Sequence, residues 1–227
     1  MPGRGPITWR AAIGLLFPPY TGMVLSFTLL GGMLADTVAW DRVVALLVIY
    51  LLGLGIAAHA LDALGTGDGP KPWGEHFSPQ QLRLAAGLSL LIAYAIAFYY
   101  ILRHVPWLLI PALIEGFFVF AYNLELFDGR FHTDRWFAVS WGGLPVLAGY
   151  VMQTNRISLG SLLVAGAAAA LSLVQITASR PYKALKRLDH PTAENETLAA
   201  RYETILRCVS LGVIALGVGL ALVRWGA

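Results

Sequence analysis

Apolar residues dominate seven long stretches of the chain, and short polar segments separate them. The stretches lie at about 13–35, 42–62, 82–102, 106–126, 136–153, 157–178 and 204–224. A helix needs about 20 mostly apolar residues to cross the hydrocarbon core of a bilayer. None of the stretches alternates apolar and polar residues as the strands of a membrane barrel do. The pattern predicts an all-α polytopic membrane bundle of about seven transmembrane helices, folded as a single domain over residues 1–227.

Composition supports a membrane location. The 227 residues are 57% hydrophobic and 13% charged, whereas soluble domains carry about 25% charged residues. A soluble protein would lack the polar side chains to cover its surface, so we expect an integral membrane protein. The formal net charge of +3 is explained by the topology described next and predicts no nucleic-acid partner.

Lysine and arginine residues predict the orientation. With seven spans and a cytoplasmic N-terminus, four of the 16 basic residues fall outside: Arg42, Arg103, Arg156 and Arg224. An excess of Lys and Arg marks cytoplasmic loops. We therefore predict a protein of the inner or plasma membrane, with the N-terminus in the cytoplasm and the C-terminus on the opposite side. The predicted inner loops are also longer and hold most acids and histidines.

The first polar segment, "IAAHALDALGTGDGPKPWGEHF" at 56–77, follows the second stretch. His59 and Asp62 are three residues apart and share one helical face. Oxygen ligands such as the carboxylates of Asp62 and Asp68 suit Mg²⁺ and leave positions open for phosphate. The alternative is helix termination by the glycines and prolines of the loop.

The second polar segment, "AYNLELFDGRFHTDRW" at 121–136, follows the fourth stretch. "FDGRF" predicts a turn containing Gly129, and Thr133 or Asp134 is a plausible N-cap of the fifth helix. Capping explains only one of its many charged and polar residues. The candidates for binding an anion and its metal are Asn123, Glu125, Arg130, His132 and Asp134. The alternative is an interfacial loop of ordinary salt bridges.

The third polar segment, "QITASRPYKALKRLDHP" at 175–191, is basic. Arg180 lies at the end of the sixth stretch, where its guanidinium can reach a buried phosphate. Lys183 follows on the same helix if that helix continues past Pro181. Contact with anionic lipid headgroups is the alternative explanation for the lysines.

Glu115 stands near the middle of the fourth stretch, in "PALIEGFFVF". A charged side chain at membrane depth costs at least about 2.5 kcal/mol. Glu115 must therefore pair, carry a proton or face a wet cavity, and it indicates that one side of the bundle has a polar interior.

Taken together, these segments resemble the UbiA-type intramembrane prenyltransferase superfamily over roughly residues 13–190. The resemblance rests on "FPPYTG" before the first span, "AHALDALGTGD" after the second, "AYNLEL" after the fourth and "WGGLPVLAGY" in the fifth. Members of that superfamily are all-helical, typically with nine spans. They hold a prenyl diphosphate through Mg²⁺ on two aspartate-rich motifs and join the prenyl group to a lipophilic acceptor.

This chain departs from the family pattern. The first family motif has the form N-D-x-x-D-x-x-x-D, and only Asp62 matches it, with Asp68 displaced by two positions. The region of the second motif, 175–189, is basic and contains only Asp189. Two final spans of the family are also not predicted. If this protein binds a phosphorylated lipid, it does so with one metal ion or none, using arginine and lysine directly.

Three functions follow as hypotheses. The first is a divergent prenyltransferase in which a Mg²⁺ is bound by Asp62 and Asp68. Its other site residues would be Glu125 and Asp134 in catalysis, His59, Asn123, Arg130, His132, Arg180 and Lys183 at the diphosphate, and Glu115 at the acceptor. The second is a non-catalytic lipid- or isoprenoid-binding protein, or an assembly subunit with a membrane protein partner. The third is a small transporter in which Glu115 and His59 relay protons.

Overall fold

The computed structural model describes residues 7–65 and 76–226, and these residues form helices and no strand. Eight helices follow one another: α1 Ile7–Leu15, α2 Pro18–Met33, α3 Trp40–Gly65, α4 Pro79–Arg103, α5 Pro106–Ala121, α6 at 134–154, α7 Leu159–Leu185 and α8 Ala193–Trp225. The all-α fold class is confirmed.

Four of these helices, α3, α4, α7 and α8, are long and apolar enough to cross a membrane. The chain is therefore an integral membrane protein by helix length and composition. The helix α5 is apolar but shorter. The first predicted stretch is divided between α1 and α2, because Phe17 adopts a left-handed backbone conformation with φ 44°. A total of about seven spans stays a prediction.

Local sequence signals explain where the helices begin. Ser78 and Ser158 each accept a hydrogen bond from a backbone N–H three residues ahead and complete a capping box. Thr133 caps α6 and Thr192 caps α8, because each side chain accepts a hydrogen bond from the backbone N–H three residues ahead. These side chains satisfy backbone donors that have no partner within the first helical turn. Of the two residues expected to cap α6, Thr133 is therefore the cap.

Two helices contain π-helical turns. In α3 the π segment is Leu51–Ala58, and in α6 it is Val139–Gly143. Gly142 and Gly143 lie within the second π segment, and Pro145 follows it. His59 directly follows the first π segment, and Trp141 lies within the second.

The bundle is built around α2, which packs against α6, α8 and α3. Small residues allow the closest approach. A Cβ on Gly149 of α6 would lie 2.8 Å from the backbone nitrogen of Gly32 on α2, and a Cβ on Gly31 would lie 2.9 Å from Cα of Val146. Helices that lack a hydrophobic drive towards each other in lipid associate through such contacts. The helix α7 packs on α6, while α4 and α5 pack on α3.

The loops gather at two opposite ends of the bundle. At one end, Arg156 pairs with Asp36 at 3.7 Å, Arg224 donates to the carbonyl oxygen of Ala35, and the backbone of Trp107 donates to Asn155 at 3.0 Å. These contacts unite the short connections that were predicted to lie outside the cell. The longer polar segments meet at the opposite end, which we call the polar end.

Candidate functional site

Side chains from five parts of the chain converge at the polar end. We call this group the polar-end cluster; its members are Phe17, Tyr20, His59, Asp62, Tyr122, His132, Asp134, Phe137, Trp141, Arg180 and Lys183. They come from the α1–α2 junction, α3, the loop after α5, α6 and α7. The described residues of the three polar segments therefore do meet in space.

A continuous series of ring contacts forms the interior of the cluster. The imidazole of His59 stacks on Phe17 with centroids 5.8 Å apart and meets Trp141 edge-on at 5.2 Å. Trp141 stacks on Phe137 at 5.3 Å, and Phe137 contacts Tyr122 at 5.9 Å. These rings provide a wall of negative π-faces, which attracts cations and accommodates apolar groups.

The orientation of His59 is determined by its own helix. Its Nδ1 lies 3.0 Å from the carbonyl oxygen of Gly55. Because a carbonyl oxygen only accepts hydrogen bonds, Nδ1 carries a proton and donates. The other ring nitrogen, Nε2, is therefore the one that remains for a ligand. His59 was predicted as a binding residue, and the structure places it within the cluster.

Two basic side chains lie beside the rings. The ammonium of Lys183 lies 4.8 Å from the centroid of Phe17 and interacts electrostatically with the carboxylate of Asp62. The guanidinium of Arg180 pairs with Asp134, with Nη2 and Oδ1 2.8 Å apart. The side chain of Arg180 is 52% exposed and that of Asp134 31% exposed. Both cations are thus held by carboxylates, yet Arg180 keeps donors that face solvent.

Phe17 has a costly backbone conformation. Bulky residues rarely adopt positive φ, and such a conformation costs about 1–3 kcal/mol. It turns the chain between α1 and α2, so that the Phe17 ring contacts both His59 and Lys183. The ring stack and the cation–π contact offset part of that cost.

The loop after α5 closes one side of the cluster. Nδ1 of His132 lies 2.9 Å from the carbonyl oxygen of Tyr122, and the two rings stack at 4.5 Å. Tyr122 also interacts electrostatically with Asp62 and Arg180. The end of α3 packs onto this loop, because a Cβ on Gly65 would lie 2.9 Å from Cα of Leu124.

Other residues of the same loop do not face the cluster. The side chain of Asn123 is buried, and its amide nitrogen donates to the carbonyl oxygen of Val119 in α5 at 2.9 Å. Glu125 and Arg130 are exposed, and their side chains form no ion pair within residues 7–65 and 76–226. The backbone turns through left-handed conformations from Glu125 to Gly129, with φ 71° at Gly129. The expected turn is present, whereas the expected convergence of Glu125 on the site is not.

Of the two residues predicted to bind a metal ion, Asp62 and Asp68, only Asp62 is among the described residues. Asp68 lies outside the described residues. Among the residues that are described, no three His, Cys, Asp or Glu side chains are grouped so that they could hold a metal ion. Asp62, Glu125 and Asp134 therefore do not form a shared carboxylate site, since Asp134 faces Arg180 and Glu125 faces solvent. The Mg²⁺ site at Asp62 and Asp68 therefore stays a prediction.

Glu115 lies apart from the cluster. It contacts Tyr50, whose hydroxyl donates to Oε1 at 3.2 Å. Glu115 is two turns before Tyr122 along α5, which corresponds to about 10 Å. Glu115, which was predicted at the acceptor of the same site, therefore lies in a separate cleft and not in the polar-end cluster.

Several cluster residues were not predicted from the sequence. Phe17, Tyr20, Phe137 and Trp141 supply most of the ring contacts. The signal that could have identified them is their position: these aromatic residues lie at or near the polar end of two different apolar stretches, 13–35 and 136–153. Aromatic side chains are also common at any membrane interface, so position alone does not separate the two roles.

Comparison with models of protein families, with curated proteins and with solved structures finds no match to this chain.

Proposed function

We propose that this protein binds a prenyl diphosphate at the polar-end cluster and acts as a divergent UbiA-type prenyltransferase. The observation that carries the proposal is the arrangement of Lys183 and Arg180 beside the ring series from Phe17 to Tyr122. An amphiphile with an anionic head and an isoprenoid tail matches both parts: the cations bind the head and the apolar bundle receives the tail.

The guanidinium of Arg180 can bind a phosphate in addition to its present partner, Asp134. Arg180 has five N–H donors, and its pair with Asp134 uses one nitrogen at 2.8 Å. A diphosphate can accept from the remaining donors in a bidentate manner. The imidazole of His59 lies in the same cluster and adds a further hydrogen-bonding group.

The ring series also suits the chemistry of prenyl transfer. The bond between the allylic carbon and the diphosphate oxygen breaks, and its electron pair leaves with the diphosphate. The allylic cation that remains is attracted to the faces of Phe17 and Trp141. A nucleophilic atom of the acceptor then bonds to that carbon, and a carboxylate such as Asp62 takes the proton that the acceptor releases.

A second candidate is binding of an isoprenoid lipid without transfer, as a binding or assembly subunit of a membrane complex. The observation that favours it is the lack of a three-carboxylate group among the described residues. In this case the same cations hold the same anionic head, but the bond to the prenyl carbon is not broken.

The membrane orientation belongs to the same proposal. About seven spans, with the N-terminus in the cytoplasm, would direct the polar-end cluster towards the cell interior. The uneven distribution of Lys and Arg supports this orientation, as does the gathering of the short connections at the other end.

Binding can be tested with Lys183→Met in lipid nanodiscs, using geranylgeranyl diphosphate with and without Mg²⁺. Loss of one charge-assisted hydrogen bond costs about 1.5–3 kcal/mol, so we expect the dissociation constant to rise roughly 10- to 150-fold. The control is Lys186→Met, which removes the same charge from the ammonium 5.7 Å from the Tyr182 ring. Equal weakening in both variants would mean that the diphosphate is attracted only by the general charge of this surface.

Transfer is distinguished from binding by pyrophosphate release in the presence of a membrane lipid extract. A transferase should lose release in Asp62→Asn while still binding geranylgeranyl diphosphate. A protein that binds the diphosphate but releases no pyrophosphate in the wild type supports the second candidate. A wild-type protein that does not bind the diphosphate contradicts both.

A further inference from the structure

A second cleft lies at membrane depth between α3, α4 and α5. It encloses a small cavity of about 60 Å³ that is open at its mouth. This is below the range of about 300–1,000 Å³ of sites that enclose a whole drug-sized ligand, so the cavity receives one end of a ligand. Most of its wall is aliphatic, including Leu46, Leu54, Leu90, Ala97 and Leu108. Its polar side chains are those of Tyr50, Tyr94 and Glu115.

The two carboxyl oxygens of Glu115 have different surroundings. Tyr50 donates its hydroxyl hydrogen to Oε1 at 3.2 Å. Oε2 is buried and has no hydrogen-bond partner among the described residues. A buried polar atom without a partner loses about 1–3 kcal/mol relative to water, and buried polar groups in proteins are almost always satisfied. The cleft therefore lacks one polar partner.

The nearby tyrosine on α4 cannot supply that partner. Its hydroxyl, on Tyr94, donates to the carbonyl oxygen of Ala112 on α5 at 3.0 Å. This bond depends on Gly116, because a Cβ there would collide with the Tyr94 hydroxyl oxygen. The glycine thus lets Tyr94 bridge α4 and α5. The bridge keeps one edge of the cleft in place and leaves Oε2 open to it.

We propose that this cleft binds an uncharged lipophilic molecule by its hydroxyl group, which bonds to Oε2 of Glu115 while the hydrocarbon part lies along the aliphatic wall towards the open mouth. A hydroxyl both donates and accepts hydrogen bonds, so it satisfies Oε2 whether or not that oxygen carries a proton. Phenols, quinols and long-chain alcohols have this chemistry and reach the cleft from the membrane.

This ligand would be the prenyl acceptor, and to that extent the inference rests on the proposed function. Glu115 lies about 10 Å from Tyr122 along α5, so the two sites are close enough for one bound molecule to reach from the cleft to the polar-end cluster. The test below contains no prenyl diphosphate and measures no turnover. Binding in the cleft can therefore be detected in a protein that transfers no prenyl group. It can also be absent from a protein that does transfer one.

The experiment is photolabelling in nanodiscs with a diazirine derivative of 4-hexylphenol, followed by mass spectrometry. Unlabelled 4-hexylphenol and its methyl ether, 4-hexylanisole, serve as competitors because they differ only in the hydroxyl hydrogen and one methyl group. We expect saturable labelling of cleft residues on α3, α4 and α5. We also expect the phenol to compete roughly 2- to 10-fold better than the ether, the effect of one ordinary hydrogen bond.

Three variants locate the effect. In Glu115→Met the preference for the phenol should disappear, whereas Tyr50→Phe keeps the carboxyl group and should keep the preference. If Glu115→Met leaves the Tyr50 hydroxyl unpaired and does not fold, the double variant Tyr50→Phe/Glu115→Met replaces it. The exposed Glu194→Gln on α8 is the control for charge removal. Equal competition by phenol and ether in the wild type overturns the proposal, as does labelling confined to other surfaces or no saturable labelling.

Discussion

The contact between α2 and α6 determines where the aromatic residues of the polar-end cluster lie. The helix α2 begins directly after Phe17, and α6 carries Trp141. Between the two helices, Gly149 faces the backbone of α2. A Cβ on Gly149 would lie 2.8 Å from the nitrogen of Gly32, and it would also collide with the carbonyl oxygen of Thr28. We therefore expect Gly149→Ala to push the two helices apart.

The cost of this substitution can be worked out against Gly166→Ala. A Cβ on Gly166 in α7 meets no atom within 4 Å, so that variant experiences no collision. Both substitutions gain the same helix propensity, up to about 1 kcal/mol, and this gain cancels in the comparison. Overpacking costs about 1–3 kcal/mol. The upper part of that range is expected for Gly149, because the colliding atoms belong to a helix backbone and cannot rotate away.

The measurement is reversible unfolding in mixed micelles, followed by circular dichroism during titration with dodecyl sulfate. Gly149→Ala should unfold earlier than Gly166→Ala, by about 1–3 kcal/mol in the free energy of unfolding. It should also weaken geranylgeranyl diphosphate binding, since the ring of Phe17 moves with α2. Equal stability of the two variants would refute the close approach of α2 and α6.

Two further predictions concern side-chain interactions. The buried amide of Gln175 on α7 donates to the hydroxyl of Ser210 on α8 at 3.0 Å, so Ser210→Ala should lower the free energy of unfolding by about 0.6 kcal/mol and by no more than about 1.7; an unchanged dodecyl sulfate midpoint would contradict this. The pair of Arg156 and Asp36 is exposed, with 3.7 Å between its charged atoms, so Arg156→Gln should change stability by less than about 1 kcal/mol. A larger loss would show that this pair orders the loops at its end of the bundle.

Much of the secondary structure could be predicted from the sequence because its causes are local. A run of apolar residues predicts a membrane helix wherever the helix packs, and each predicted stretch coincides with helix in the structure. The cap at Thr133 and the left-handed turn at Gly129 depend on residues within a few positions. The division of the first stretch at Phe17 was not predicted, because no glycine marks that left-handed position.

The candidate site could be predicted only in part. Hydropathy showed that His59, Asp62, Arg180 and Lys183 leave the apolar stretches at the same end, and they do meet there. It did not show that the side-chain amide of Asn123 donates a hydrogen bond to the carbonyl oxygen of Val119 in α5.

The apolar helices and their polar ends can be recognised in the sequence, because lipid and water act on each stretch separately. The series of rings formed by Phe17, His59 and Trp141, and the separate cleft around Glu115, follow instead from how the helices pack. These contacts depend on the rotation and axial position of each helix against its neighbours. Backbone approaches such as that of Gly149 to α2 set those two quantities, between residues more than a hundred positions apart.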